Sequence, residues 1–167
     1  MPLETFLPPP HLATIHILLS KDWNGVNNGV FFIRVHQWSV NLLIAAAAYP
    51  HLKPDVELFW YDQSAMSSLF KENKQFTQSV VYCPLRWFNA YMRAPNGVDP
   101  NPDSPAHLQV QPGDLLVHFP GTPAAKLNDT MEPYLTIAEA HRTEWEVPVE
   151  KTGYIEETQL FWKNTTR

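Results

Sequence analysis

Residues 21–39 read KDWNGVNNGVFFIRVHQWS. Two Asn-Gly turn signals, Asn24-Gly25 and Asn28-Gly29, stand ahead of an apolar run at residues 30–35 (VFFIRV). Asn and Gly suit tight turns, whereas β-branched and aromatic side chains favour strands. The reading is a turn-rich loop at 22–29, a strand at 30–35, and a helix capped by Ser39. A loop of Asn and Gly that feeds a buried strand sets backbone and amide groups beside a ligand.

Working outward, residues 12–19 (LATIHILL) read as a buried strand. In the helix after Ser39, Val40, Leu43, Ile44 and Ala47 form an apolar stripe, and Pro50 lies just past its end. Asp62 is placed to cap a second helix with Ala65, Met66, Leu69 and Phe70 on one face. Strands are predicted at 79–82, 86–91 and 115–119. A surface loop is predicted at 94–105, and a turn at Gln111-Pro112-Gly113-Asp114. A third helix is expected near Thr130, with Pro133 in its first turn and Met131, Tyr134, Leu135 and Ala138 facing inward. A last helix is expected near 156–162. Strands alternating with helices define an α/β class.

The chain has 167 residues, enough for one domain or part of one, and it carries no internal repeat. Its net charge is −5, with no basic run, so nucleic acid is not an expected partner. Cys83 is the single cysteine, which excludes an internal disulfide. No apolar run approaches the ~20 residues of a membrane helix, and the N-terminus lacks a signal-peptide pattern.

Four segments in this order, KDWNGVNNGVFFIRVHQWS from Lys21, YDQSAMSSL from Tyr61, VVYCPLRWFNAY from Val80 and GDLLVHFPG from Gly113, resemble the fungal galactosyl/mannosyltransferase group of glycosyltransferase family 34. The stretch from Glu144 is similar to the end of fungal members. The resemblance implies a GT-A fold, a Rossmann-like α/β domain that binds a nucleotide-sugar with Mn²⁺ and retains the donor's anomeric configuration. It further implies UDP-galactose or GDP-mannose as donor, a glycan acceptor, and a place on the lumenal side of the Golgi membrane. Complexes with related glycosyltransferases are implied too. Such folds use an Asp-x-Asp pair, which the family places upstream of the segment matching Lys21; this sequence has none. The expectation is therefore a partial domain, the C-terminal portion of the catalytic domain without its nucleotide-binding half. Two functional readings follow: a transferase domain, or an inactive fragment that acts as a partner of full-length relatives.

By the same resemblance, His118 is a Mn²⁺ ligand; its position alone favours a strand-end histidine bonded to backbone. Asp62 and Gln63 lie beneath the donor sugar, where a carboxylate or amide oxygen stabilises oxocarbenium charge. The alternative for Asp62 is helix capping. Relatives usually carry an acid just before this Asp, where Tyr61 stands. Asn27, Asn28 and Gly29 offer amide donors and acceptors and close backbone approach to sugar hydroxyls, or form a plain turn. Gly121 and Lys126 follow the His118 motif, and Lys126 is the candidate for neutralising the diphosphate leaving group. Arg34 is expected to pair with an internal carboxylate. Trp23 and Trp38 are candidates for stacking on a sugar, with a core role favoured for Trp38.

Overall fold

The computed structural model of the chain describes residues 1–93 and 105–165. The loop expected at 94–105 lies outside them except for its last residue. The chain divides into two compact units, Pro8–Pro84 and a second built from Met1–Leu7 with Leu85–Arg167.

In the first unit, β1 (Ile17–Asp22) and β2 (Gly25–Ile33) form an antiparallel hairpin, followed by α1 (Gln37–Leu52), α2 (Tyr61–Glu72), the single turn α3 (Lys74–Thr77) and β3 (Val80–Cys83). β3 pairs parallel to β1, giving a mixed sheet of order β2-β1-β3. The α/β character expected is present. β1 is the middle strand, and Ile17, Leu18, Leu19 and Ser20 are all buried. A strand covered on both faces carries a continuous apolar run instead of an alternating one. The core joins Ile17, Leu19, Leu42, Tyr49, Met66 and Phe70.

Several boundaries move. The strand expected at 12–19 starts only at Ile17, because Pro10–Leu12 forms a 3-10 turn with a proline at its start, and it runs on to Asp22. The expected loop at 22–29 shrinks to the two residues Trp23 and Asn24 between the paired Asp22 and Gly25. Asp22 Oδ1 accepts the Asn24 N–H at 2.6 Å, and Gly25 takes φ +103°, which a side chain would strain. β2 therefore includes residues 25–29 and ends at Ile33. Its register breaks once: Leu18 faces Phe32 and Ser20 faces Asn27, so Leu19 stands opposite residues 28–31. The second Asn-Gly signal is a bulge in a strand, which re-aims its side chains. Among the described residues Arg34 pairs with no carboxylate; its Nε donates to the Ile15 carbonyl at 3.2 Å.

α1 is capped by His36, whose Nδ1 accepts the Trp38 N–H at 3.1 Å, and not by Ser39. Ser39 is buried in the first turn, where its hydroxyl donates to the Arg34 carbonyl at 2.6 Å. The buried face is Ser39, Leu42, Ala46 and Tyr49; the expected stripe of Val40, Leu43 and Ile44 is exposed. A helix apolar on nearly every side does not declare its inner face by period alone. Pro50 falls inside the helix. In α2 the burial of Ala65, Met66 and Phe70 follows the expected stripe, with Leu69 packed beside them. Trp60, not Asp62, is the residue at its N-cap, and the Trp60 N–H donates to the Ser64 hydroxyl at 2.9 Å. Trp38 packs edge-on against Phe76 at 5.7 Å, in keeping with a core role.

In the second unit, the turn Leu3–Phe6 sets the fully buried Phe6 against Trp87, Phe88 and Tyr154. The strand expected at 86–91 is a helical turn, α4 (Arg86–Asn89); Trp87, Phe88 and Asn89 are consecutive and all buried, a pattern that a one-faced strand does not produce. Only Tyr91 bridges, to Gln109 and to His118. The strand expected at 115–119 is a half-buried irregular segment in which His118 bridges to Tyr91. The turn at 111–114 is present: the Asp114 N–H donates to the Gln111 carbonyl at 3.0 Å. A Cβ on Gly113, at φ +87°, would lie 2.6 Å from the Thr152 methyl. The third helix, α5 (Ala124–Glu139), begins before Thr130, has Pro133 in its interior and buries no residue. The last, α6 (Tyr154–Asn164), contains the expected 156–162. No helix among the described residues is long and apolar enough to cross a membrane.

Candidate functional site

The bulge in β2 and the start of α2 meet at Asn28. Its side-chain N–H donates to Asp62 Oδ2 at 2.8 Å, and its backbone N–H donates to Gln63 Oε1 at 3.2 Å. One asparagine thus aligns both acceptors that the sequence singled out on α2. Asp62 lies in the first turn, where backbone N–H groups and the helix dipole favour a carboxylate. It is exposed, and Gln63 and Asn28 are half-buried. The cluster presents a carboxylate and an amide at one edge of the unit, a set that can hold a polyol by paired hydrogen bonds.

Asn27 has a different setting from its neighbour. It is buried, its Nδ2 donates to Asp22 Oδ2 at 3.0 Å, and its Oδ1 accepts the Gly29 N–H at 3.0 Å. Its amide braces the bulge from inside, so Asn28 and Gly29 are the members of the triplet that reach the surface. Asp22, which holds both the hairpin turn and Asn27, was missed in the sequence. Its one signal was its place just before the turn. Tyr61 was noted only as a departure; in the structure it takes φ +44°, a left-handed backbone that bulky residues rarely hold.

His118, Gly121 and Lys126 belong to the second unit. The His118 N–H donates to the Ala90 carbonyl at 2.6 Å, and its half-buried ring lies 6.0 Å from that of Tyr91. Gly121 takes φ +66° in the turn before α5, with open space where a Cβ would stand. Lys126 is exposed in the first turn of α5, a helix with no side-chain cap and no acid in that turn. The base of this segment is anchored. The Tyr154 hydroxyl donates to Asp114 Oδ1 at 2.7 Å, and Arg86 Nε donates to the Tyr154 oxygen at 3.1 Å. Burial raises the Asp114 pKa above its ordinary value, against the opposing pull of Tyr154, the Gln111 N–H and Arg86. This buried triad was missed because its members are far apart in sequence.

Among the described residues no three His, Cys, Asp or Glu side chains gather as a metal site. One imidazole alone does not suit Mn²⁺, which takes several, mostly oxygen, donors.

A mixed α/β protein with a carboxylate–amide cluster at a helix start is what fold and site define. The sequence profile of glycosyltransferase family 34, the galactosyl transferase GMA12/MNN10 family, matches residues 10–127, and the chain belongs to that family. It is 30% identical over 110 residues to the Schizosaccharomyces pombe protein named "Probable alpha-1,2-galactosyltransferase gmh1", covering 66% of this chain and 30% of that one. It is 31% identical over 112 residues to a second protein of that organism, named "Alpha-1,2-galactosyltransferase", covering 64% of this chain and 25% of that one. The chain thus spans less than a third of the length of these relatives. No solved structure matches it.

Proposed function

We propose that the chain is the C-terminal part of a GT-A domain that transfers galactose or mannose from UDP-galactose or GDP-mannose to a glycan acceptor, with retention of configuration. The observation that carries this is the Asn28–Asp62–Gln63 cluster, inside the region that matches the family. In this reading Asp62 faces the anomeric carbon, where its charge stabilises the developing oxocarbenium ion, and Gln63 orients sugar hydroxyls. Asn28 keeps both side chains in place, and Gly29 lets backbone approach the sugar. Asn27 supports Gly29 from within the bulge.

The uncapped start of α5, with Gly121 before it and Lys126 in its first turn, suits an anionic diphosphate. His118 is one donor to a Mn²⁺ ion in this reading, and the described residues do not complete its site, so no step here runs through the metal. In this reading the setting is the lumenal side of the Golgi membrane, with related transferases as partners. A second reading is a non-catalytic partner of such relatives. A transfer assay with UDP-galactose and GDP-mannose on a mannose oligosaccharide separates the two. Turnover that Asp62→Asn removes supports the first, and no turnover by the chain with either donor supports the second.

A further inference from the structure

The end of α1, the connection 53–60 and the start of α2 line an open surface cavity of about 380 Å³. Its walls include Pro50, Pro54, Val56 and Leu58, and its rim holds Tyr61 and Asp62. That volume lies at the small end of the ~300–1,000 Å³ range of ligand pockets. Beside it stands an exposed aromatic run, Phe59, Trp60 and Tyr61, with the Phe59 and Trp60 rings edge to face at 4.8 Å. Tyr61 is 81% exposed and keeps its left-handed backbone. A non-glycine residue in that region is strained, and such strain is concentrated at ligand-binding sites.

The lining carries one carboxylate and no Lys, Arg or His, so it does not suit a phosphate. A plain alkyl chain would leave the polar groups at its rim, the Asp62 carboxylate and the Tyr61 hydroxyl, unused. Apolar walls, an aromatic ring and one carboxylate together suit a neutral ring with C–H groups on its face and hydroxyls at its edge. Asp62 also accepts from Asn28, so the cavity adjoins the cluster described above.

We propose that this cavity seats a neutral pyranose of the acceptor glycan, with the Tyr61 ring as its stacking platform and Asp62 positioning a hydroxyl. The assignment rests on the reading of Asp62 as a sugar-facing group. Tyr61 is then a specificity-determining residue.

The test is saturation-transfer NMR on the 167-residue chain with two probes, mannobiose and octyl α-mannoside. The expected result is saturation of the sugar-ring protons of both. Tyr61→Asn accepts the left-handed backbone but deletes the ring, and should weaken mannobiose binding roughly tenfold. Tyr61→Phe should bind like the unaltered chain. Saturation confined to the octyl protons, no saturation of either sugar, or equal binding by Tyr61→Asn overturns the proposal. UDP-galactose and GDP-mannose turnover, assayed in parallel, keeps the two readings apart. Sugar-ring saturation without turnover sinks the transferase reading and leaves a pyranose seat that serves binding alone; turnover without saturation sinks the seat alone.

Discussion

Asn28 and Asp62 are joined by a 2.8 Å hydrogen bond across 34 positions of chain, between a strand bulge and a helix start. Neither element aims its side chain there unaided. The bulge turns Asn28 out of the ladder, and the helix start sets Asp62 within its reach. For the proposed transfer, Asp62→Asn should lower kcat by about a hundredfold, the scale of losing one preorganised charge at a transition state. Because Asp62 is exposed, its melting temperature should stay close to that of the unaltered chain. Equal loss of kcat and stability would mean that the carboxylate serves the fold alone.

The inner face of α1 is open to a direct test. Leu42 is fully buried in the first unit, while Leu43 is 47% exposed. Leu42→Ala should cost about 2–5 kcal/mol in denaturant unfolding, the usual range for a buried leucine. Leu43→Ala should stay within ~0.5 kcal/mol. The reverse order would restore the face expected from sequence.

Acid should weaken the first unit through His16. Its ring stacks on His36 at 4.2 Å, and its Nδ1 is buried with no hydrogen-bond partner among the described residues. Burial lowers its pKa below 6.5, helped by the nearby His36 and Arg34. Between the lowered folded value and 6.5 the unfolded chain binds more protons, so stability rises with pH there. The His16 contribution is complete above 6.5 and is lost as pH falls through that window. His16→Phe keeps the stack and removes the proton, so thermal melts from pH 5 to 8 should show a shallower acid loss for this variant.

In the second unit, Tyr154→Phe removes the hydroxyl that links Asp114 and Arg86. Losing one of the donors to this buried carboxylate, with the Gln111 N–H and Arg86 still facing it, should cost about 1 kcal/mol. Amide exchange should quicken along residues 113–119, the segment that carries His118. Unchanged exchange there would show that the anchor does not hold that segment.

Much of the second helix was legible, because Ala65, Met66 and Phe70 alternate with polar residues at a clear helical period. α1 was legible as a helix but not as an oriented one. Its apolar residues surround the axis, and only the sheet decides which of them face inward. The stretch 86–91 misled because aromatic residues suit strands as well as buried turns, and the packing of Phe6 on Trp87 and Phe88 is a long-range contact. Asp62 and Gln63 were legible as candidates by resemblance. Their tie to Asn28 was not, since a strand register cannot be counted from one strand.

The sequence by itself determined the family, through four ordered segments, and the α/β alternation, through local periodicity and turn chemistry. Tertiary structure alone decided that the second Asn-Gly of residues 21–39 is a bulge and not a turn. Pairing with β1 continues on both sides of it, and backbone N–H and C=O groups that find partners in a strand do not form a loop. That pairing leaves Asn27 inside and turns Asn28 toward Asp62.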